Sequence, residues 1–393
     1  MIKKIGIFQY NENVTIHICN LCNILVRNGY EVTLFQTSLC QKYIINDDID
    51  PEVNVIVICP KNLLEKFISK IYERFKAKRV LTLFWFLNPV IHRLARNEVS
   101  KYSLDLIIGI EKLGLIWCEK LKICSNIIYY SLELYLNNHP VLSSSYMRLA
   151  HEFEKKIHRR CLATIIQDEK RAEVLYTANE INVIRTPPIF LPISIYQNKR
   201  SKVWNYFNIK YSLSATSKIV LYFGTGGYNR MLDFDKIASN LPNDYYLVIH
   251  GLDIQYSSIK NVKSNIFISK DFLDQYGINI IISSATIGIV LYSNDNENNI
   301  LTAYSSEKIA RFTQCGIPFI TLKNYNYENL QKRYKCLELI EDYNDIKHAI
   351  NTIEINYFEY RKEAFNAFDN IYSYEKASEK LLEFIGNLKS CSI

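Results

Sequence analysis

Glu307 stands in the segment YSSEKIARFTQCGIPFI (304–320), which begins polar, turns amphipathic, stops at Cys315-Gly316 and restarts as an apolar strand. With Ser305 or Ser306 as the N-cap, the carboxylate falls in the first turn of a helix. The helix dipole alone favours it there by roughly 0.3–1 kcal/mol, with no function needed. Its location offers a second role. The preceding apolar run, TIGIVLY (286–292), ends in a polar loop, so Glu307 lies at the carboxyl edge of a sheet. There it can accept two hydrogen bonds from a ribose, while the backbone N–H groups of Ser305 and Ser306 meet a phosphate.

A second constellation is YFGTGGYNRMLD (222–233). A strand runs into Gly224, Gly226 and Gly227, and a helix begins near Leu232. Glycines allow positive φ and let backbone N–H groups approach a phosphate. Arg230 can lay a guanidinium fork on a diphosphate. GTGG is not the dinucleotide G-x-G-x-x-G, and a tight strand-to-helix turn with a solvated arginine explains it equally well.

Three carboxylates follow strands in the first half. Glu133, in YYSLELY (129–135), stands just past a buried strand, where it can simply end the strand at the surface. Glu111, in LIIGIEKLG, sits just after a strand with a weaker claim. Asp168, in ATIIQDEKRAEVL, reads most simply as a helix start. Asn11 and Asn13, in FQYNENVT, can hydrogen-bond a ligand or cap a helix.

Metal chemistry is not expected. The pairs Asp48/Asp50 and Asp233/Asp235 read as a polar loop and a helix start, and no His-x-x-x-His occurs. Cys19 and Cys22 form a Cys-x-x-Cys on a helical segment, with no second half for a zinc site. The ten cysteines have irregular spacing, which suits a reducing compartment.

These residues need a scaffold. The chain has 393 residues, 48% of them apolar, enough for two domains with full cores. The runs IGIFQY, EVTLFQT, VNVIVIC, LDLIIGI, NIIYYSL and ATIIQD alternate with helical patterns. The second half repeats the scheme with KIVLYFG, YYLVIHG, NIFIS, TIGIVLY and PFITL. Continuous Val/Ile runs mark strands buried on both faces, and their alternation with helices predicts doubly wound α/β domains. Two Rossmann-like domains facing across a cleft are expected, with ligands outside the carboxyl ends of the strands. The boundary falls near TPPIFLPISIYQNKRSK (186–202), where three prolines and a basic tail break both periodicities.

The order strand, polar loop, SSEKIARF, QCGIP, strand resembles the nucleotide-sugar region of GT-B glycosyltransferases, especially the retaining family 4 type. FGTGGYNRMLD is similar to their phosphate loop, and YYSLELY and ATIIQDEKRAEVL to late strands of their first domain. The likeness covers most of residues 100–320. It implies an acceptor domain over 1–190, a nucleotide-sugar domain over 191–365, and a C-terminal helix (366–393) that packs back on the first domain. It implies that Glu307 holds the ribose, that Gly224, Gly226, Gly227 and Arg230 hold the diphosphate with Lys236 as a second cation, and that Glu133 faces the sugar. Asn11 and Asn13 fall to the acceptor. No cofactor or metal is implied. Family 4 enzymes usually carry a second glutamate eight positions before the one at Glu307; here that position is Asn299.

The net charge is +7, a mild excess compatible with an anionic ligand or membrane surface. The N-terminus lacks the apolar run of a signal peptide, so a cytoplasmic location is expected. KNLLEKFISKIYERFKAKR (61–79) carries Leu64, Phe67, Ile68, Ile71 and Phe75 on one helical face and Lys66, Lys70, Arg74, Lys76 and Lys78 on the other. It reads as an ordinary Rossmann helix with a solvated basic face, or as a surface resting on anionic lipid. Lipid-linked acceptors agree with the second. No nucleic-acid module is recognisable.

Overall fold

The computed structural model describes residues 2–10, 15–38, 48–75, 87–136, 142, 144–196, 205–224, 232–251, 264–271 and 275–388. Two compact units divide the chain. The first holds Met1–Pro192 and Ala377–Ile393, the second Ile193–Lys376. Residues 366–376, expected to begin the returning helix, therefore lie in the second unit.

The first unit is built on seven parallel strands: β1 (Lys4–Gln9), β2 (Glu31–Thr37), β3 (Asn54–Ile58), β4 (Leu106–Ile110), β5 (Ile127–Tyr130), β6 (Ala163–Ile166) and β7 (Pro188–Phe190). Their order in the sheet is β3-β2-β1-β4-β5-β6-β7. Ile5, Ile7, Leu34, Ile107 and Ile108 are fully buried, as a sheet covered on both faces requires. Strand β7 lies inside the proline-rich stretch where the domain boundary is expected. It pairs along β6, Ile165 opposite Ile189, where an edge position tolerates Pro188. The helix Ile16–Arg27 follows β1, and Gly29, just past its C-cap Asn28, takes a φ of +82° that lets the chain turn away.

The second unit carries six parallel strands: β8 (Lys218–Phe223), β9 (Tyr245–His250), β10 (Ile266–Ser269), β11 (Ile287–Ile289), β12 (Phe319–Leu322) and β13 (Leu337–Ile340), in the order β10-β9-β8-β11-β12-β13. Its core packs Ile219, Leu221 and Val248 against Ile309, Phe312 and Phe368. Strand β11 is shorter than TIGIVLY suggested. Val290 N–H still reaches the Ile320 carbonyl at 3.0 Å, but the chain then leaves the ladder with Leu291 and Tyr292 buried.

The segments near the two ends of the second unit run together. Ile195 pairs in parallel with Ser373: Ile195 N–H donates to the Tyr372 carbonyl at 3.0 Å, and Tyr374 N–H donates to the Ile195 carbonyl at 2.9 Å. The helix Glu379–Asn387 belongs to the first unit, with Leu381 and Ile385 fully buried.

Both sheets reverse direction once, between β1 and β4 in the first unit and between β8 and β11 in the second. At such a switch point the two neighbouring strands send their following segments to opposite faces, opening a crevice at their carboxyl ends.

Candidate functional site

In the second unit, β8 ends at Gly224, whose φ is +128°, a backbone region open to glycine. Residues 225–231 follow, so Gly226, Gly227 and Arg230 lie outside the described residues. The helix Phe234–Ser239 then begins at Asp233, whose carboxylate caps the Lys236 N–H at 3.0 Å. That is the structural role expected of the Asp233/Asp235 pair. Lys236 is largely exposed, its ammonium 3.8 Å from Asp233.

The segment after β11 comes to the same switch point. The helix Glu307–Gln314 opens there with Ser306 as its N-cap. Ile309 N–H closes on the Ser306 carbonyl at 3.1 Å, so the N–H groups of Ser306, Glu307 and Lys308 head the helix and take no carbonyl within it. The Ser305 N–H is used: it donates to the Thr302 carbonyl at 3.1 Å, closing the turn before the helix. The Ser305 amide, expected to meet a phosphate, thus serves this turn, and the amides without a carbonyl in the helix begin one residue later. Ser306 Oγ lies 2.8 Å from the Tyr292 hydroxyl.

The Glu307 side chain is 34% exposed and accepts from Arg311 Nε at 2.7 Å, with Arg311 itself buried one turn on. A carboxylate oriented from below and open to solvent suits a polar ligand group. Asn299 is bound into its own loop: its side-chain amide donates to Ser293 Oγ and Asp295 Oδ1, each at 2.9 Å.

Sequence reasoning missed Lys308. Its ammonium donates to the Tyr292 hydroxyl at 3.3 Å and sits 5.1 Å from the Tyr292 ring centre and 5.8 Å from that of Tyr222. The residue is 7% exposed. A Cβ at Gly224 would lie 2.7 Å from Lys308 Cε and 3.1 Å from Nζ, so the glycine leaves room for the lysine. A lysine at the second position of a helix looks solvated in sequence. Only the fold returns it to the end of β8.

In the first unit the switch point lies between β1 and β4. Asn11 and Asn13, after β1, are outside the described residues. Glu111 follows β4 directly, with φ +57°, a strained conformation for a residue other than glycine. The cause is the absence of a loop. The helix Glu111–Leu121 starts at the strand end and packs so closely that a Cβ at Gly109 would lie 2.8 Å from Leu115 Cα. Glu111 Oε1 accepts the N–H of Leu132 at 2.6 Å and of Glu133 at 2.8 Å. Burial raises the Glu111 carboxyl, and the neighbouring Glu133 charge adds to it, to about 7. Glu133 is exposed. Buried Arg171 donates to the Leu132 carbonyl at 2.8 Å, fixing this turn from its other side. Asp168 accepts the Arg171 N–H at 2.9 Å as the cap of the helix Glu169–Asn179, the structural role its sequence suggested.

Beneath Glu111 lies a buried ionic group. Glu154 pairs with Lys112, accepts from the Tyr129 hydroxyl at 2.8 Å and meets His151 Nδ1 at 3.0 Å. Burial would raise the Glu154 carboxyl, but Lys112 and His151 hold it down to about 2. Cys19 and Cys22 are buried free thiols.

No protein-family model matches the chain, and no curated protein matches it by sequence. Solved structures do match in three dimensions. The sucrose-phosphate synthase of Thermosynechococcus elongatus superposes with a TM-score of 0.70 at 15% identity, covering 98% of each chain. A glycosyltransferase from Rickettsia africae gives 0.68 at 12%, covering 98% of this chain and 97% of its own. HepE of Anabaena, solved in complex with UDP-glucose, gives 0.66 at 12%, covering 99% and 100%. The fold is thereby defined: two Rossmann-like units, each a parallel sheet flanked by helices, as in the GT-B fold.

Proposed function

We propose that this protein is a glycosyltransferase that moves a sugar from a nucleotide-diphosphate donor to a glycan or lipid-linked acceptor. The observation that supports it best is the convergence at the β8–β11 switch point. There a positive-φ glycine following β8 meets, from a second and distant stretch of chain, the helix Glu307–Gln314 with its N-terminal amides and the part-exposed carboxylate of Glu307.

In this reading Glu307 accepts the ribose hydroxyls. Gly224, Gly226, Gly227 and Arg230 take the diphosphate with the Ser306 amide, and Lys236 is a further cation of that loop. Asn299 steadies the loop that meets the sugar. Glu133 faces the donor sugar from the first unit, where Asn11 and Asn13 meet the acceptor. The anomeric carbon–oxygen bond breaks with its electron pair leaving on the diphosphate. The acceptor oxygen forms the new bond and loses its proton. Positive guanidinium and amide dipoles stabilise the departing charge, which removes the need for a metal. The likeness to family 4 makes retention of configuration the expected outcome. HepE was solved with UDP-glucose, so UDP-glucose is the first donor to try.

The same reading places the protein at the inner face of a membrane. Among the described residues no helix is long and apolar enough to cross a bilayer. The helix Leu63–Phe75 turns Glu65, Ser69 and Tyr72 inward, while Leu63, Leu64 and Phe67 are 86%, 67% and 62% exposed. Glu65 turns inward because it accepts the Lys61 N–H at 2.8 Å and pairs with Arg93 at 2.8 Å. An exposed apolar face flanked by Lys66, Lys70 and Arg74 fits an anionic lipid surface, each cation near the headgroups adding ~1 kcal/mol.

The test is direct. The purified protein is incubated with UDP-, GDP-, ADP- and CMP-sugars, and nucleotide release is followed with and without membrane glycolipid extracts. Release of one nucleotide diphosphate, stimulated by the extract, is expected. Absence of binding to every donor overturns the reading.

A further inference from the structure

We propose that Lys308 is a buried cation that binds the diphosphate of the nucleotide ligand alongside the glycine loop. The inference rests on the nucleotide-sugar reading above and assigns to this site a residue outside the glycine loop.

Four cationic side chains are buried among the described residues: Lys112, Arg171, Lys308 and Arg311. Three face carboxylates. Lys112 pairs with Glu154, Arg311 with Glu307, and Arg171 feels Glu133 and Asp168. Lys308 has no carboxylate oxygen within 4.0 Å among the described residues; its partners are one tyrosine hydroxyl and two ring faces. Ring faces and a neutral hydroxyl soften an ammonium charge without neutralising it.

The position sharpens the point. Lys308 is the second residue of the helix Glu307–Gln314, at the positive end of its dipole. A cation there is disfavoured, whereas an anion is favoured. The chain therefore holds a buried, uncompensated positive charge where its own helix repels it. Such a charge is costly unless an anion arrives from outside.

Three features built around the lysine say where that anion sits. Gly224 has a positive φ and no Cβ, which lets the ammonium lie over the end of β8. The Tyr292 hydroxyl bonds both Lys308 and Ser306, at 3.3 and 2.8 Å, and so fixes the lysine against the helix start. The leading amides of the same helix have no carbonyl partner within it. A polyanion meets an ammonium, a hydroxyl pair and amide donors together. A diphosphate uses all of them; a nucleoside alone uses none.

The experiment is calorimetric titration of the full chain with UDP, ADP and GDP, with the matching nucleosides, and with inorganic pyrophosphate. Wild type, Lys308→Met and Lys308→Arg are compared. One nucleoside diphosphate is expected to bind wild type. The methionine variant should bind it and pyrophosphate about 30-fold more weakly, the effect of one lost charged hydrogen bond in a dry site, with nucleoside affinity unchanged within about threefold. The arginine variant should stay within about fivefold of wild type. Removing an uncompensated buried cation should also raise the melting temperature of the free methionine variant. Equal diphosphate binding by wild type and the methionine variant overturns the role of Lys308 and leaves the nucleotide reading standing. A wild type that binds no nucleoside diphosphate overturns both. A lysine that only supports the fold would lower the melting temperature of both variants without separating diphosphate from nucleoside.

Discussion

Glu111 Oε1 accepts the backbone N–H of Glu133 at 2.8 Å, joining the residue that follows β4 to the exposed carboxylate beyond β5. The strained residue and the sugar-facing candidate are thus one unit. The turn that presents Glu133 is held by a carboxyl at a switch point.

That carboxyl makes stability depend on pH. Its value in the folded chain, about 7, lies above the ordinary 4.5, because burial and the Glu133 charge disfavour the ionised form. A raised value means that stability is fully present below pH 4.5 and is lost as pH rises through about 7. The loss is ~3 kcal/mol in total, at ~1.4 kcal/mol per pH unit. Glu111→Gln keeps an oxygen for the two N–H groups and removes the titration. Its melting temperature, scanned from pH 5 to 8, should fall less steeply than that of wild type. Parallel curves would refute the assignment.

Glu307 should be tested with glutamine as well as alanine. Glutamine retains an oxygen for Arg311 Nε but loses the charge that grips two hydroxyls. Donor affinity should drop about tenfold for Glu307→Gln and more for Glu307→Ala, at ~1.4 kcal/mol per tenfold change. Titration with a nucleoside diphosphate and with its 2′-deoxy analogue reads it out. An unchanged preference for the ribose form in the glutamine variant would count against a ribose contact.

The ionic group under Glu111 should be intolerant of single changes. Lys112→Met leaves Glu154 buried with less compensation and should cost about 3–5 kcal/mol. Lys112→Met combined with Glu154→Leu should recover much of that loss. Urea unfolding of the singles and the double measures the coupling; additive losses would show that the pair is not coupled.

The exposed face of the helix Leu63–Phe75 predicts lipid binding. Sedimentation with vesicles of phosphatidylglycerol and phosphatidylcholine should carry the protein down at low salt. Leu64→Glu with Phe67→Glu should abolish this and change stability little, because both side chains are already exposed. Equal sedimentation of the variant would exclude this face.

Much of this architecture was legible in the sequence because buried parallel strands leave unbroken Val/Ile runs. Strands β7 and β13 escaped. Pro188 opens one in a proline-rich stretch, and the other, LELI, carries Glu338 at an intermediate position. The helix 63–75 was legible as amphipathic, but periodicity does not say which face is inward; the Arg93 pair with Glu65 settles that through tertiary contact. Glu307 was found because a strand, a polar loop and a helix start are local signals, and it is the first residue of its helix. Lys308 was not found, because its meaning depends on Gly224, far away in the chain, and on a setting of tyrosines with no carboxylate among the described residues within 4.0 Å.

The bridge between Ile195 and Ser373 has a genetic meaning. Residues 193–376 interrupt a domain that resumes at Ala377, so the polypeptide is one lobe spliced open to receive another. A cassette whose two borders are already stitched side by side meets the geometric condition for independent folding and for circular permutation. Excised, it would be a piece less than half the length of the whole, on which the proposed nucleotide site can be tried alone.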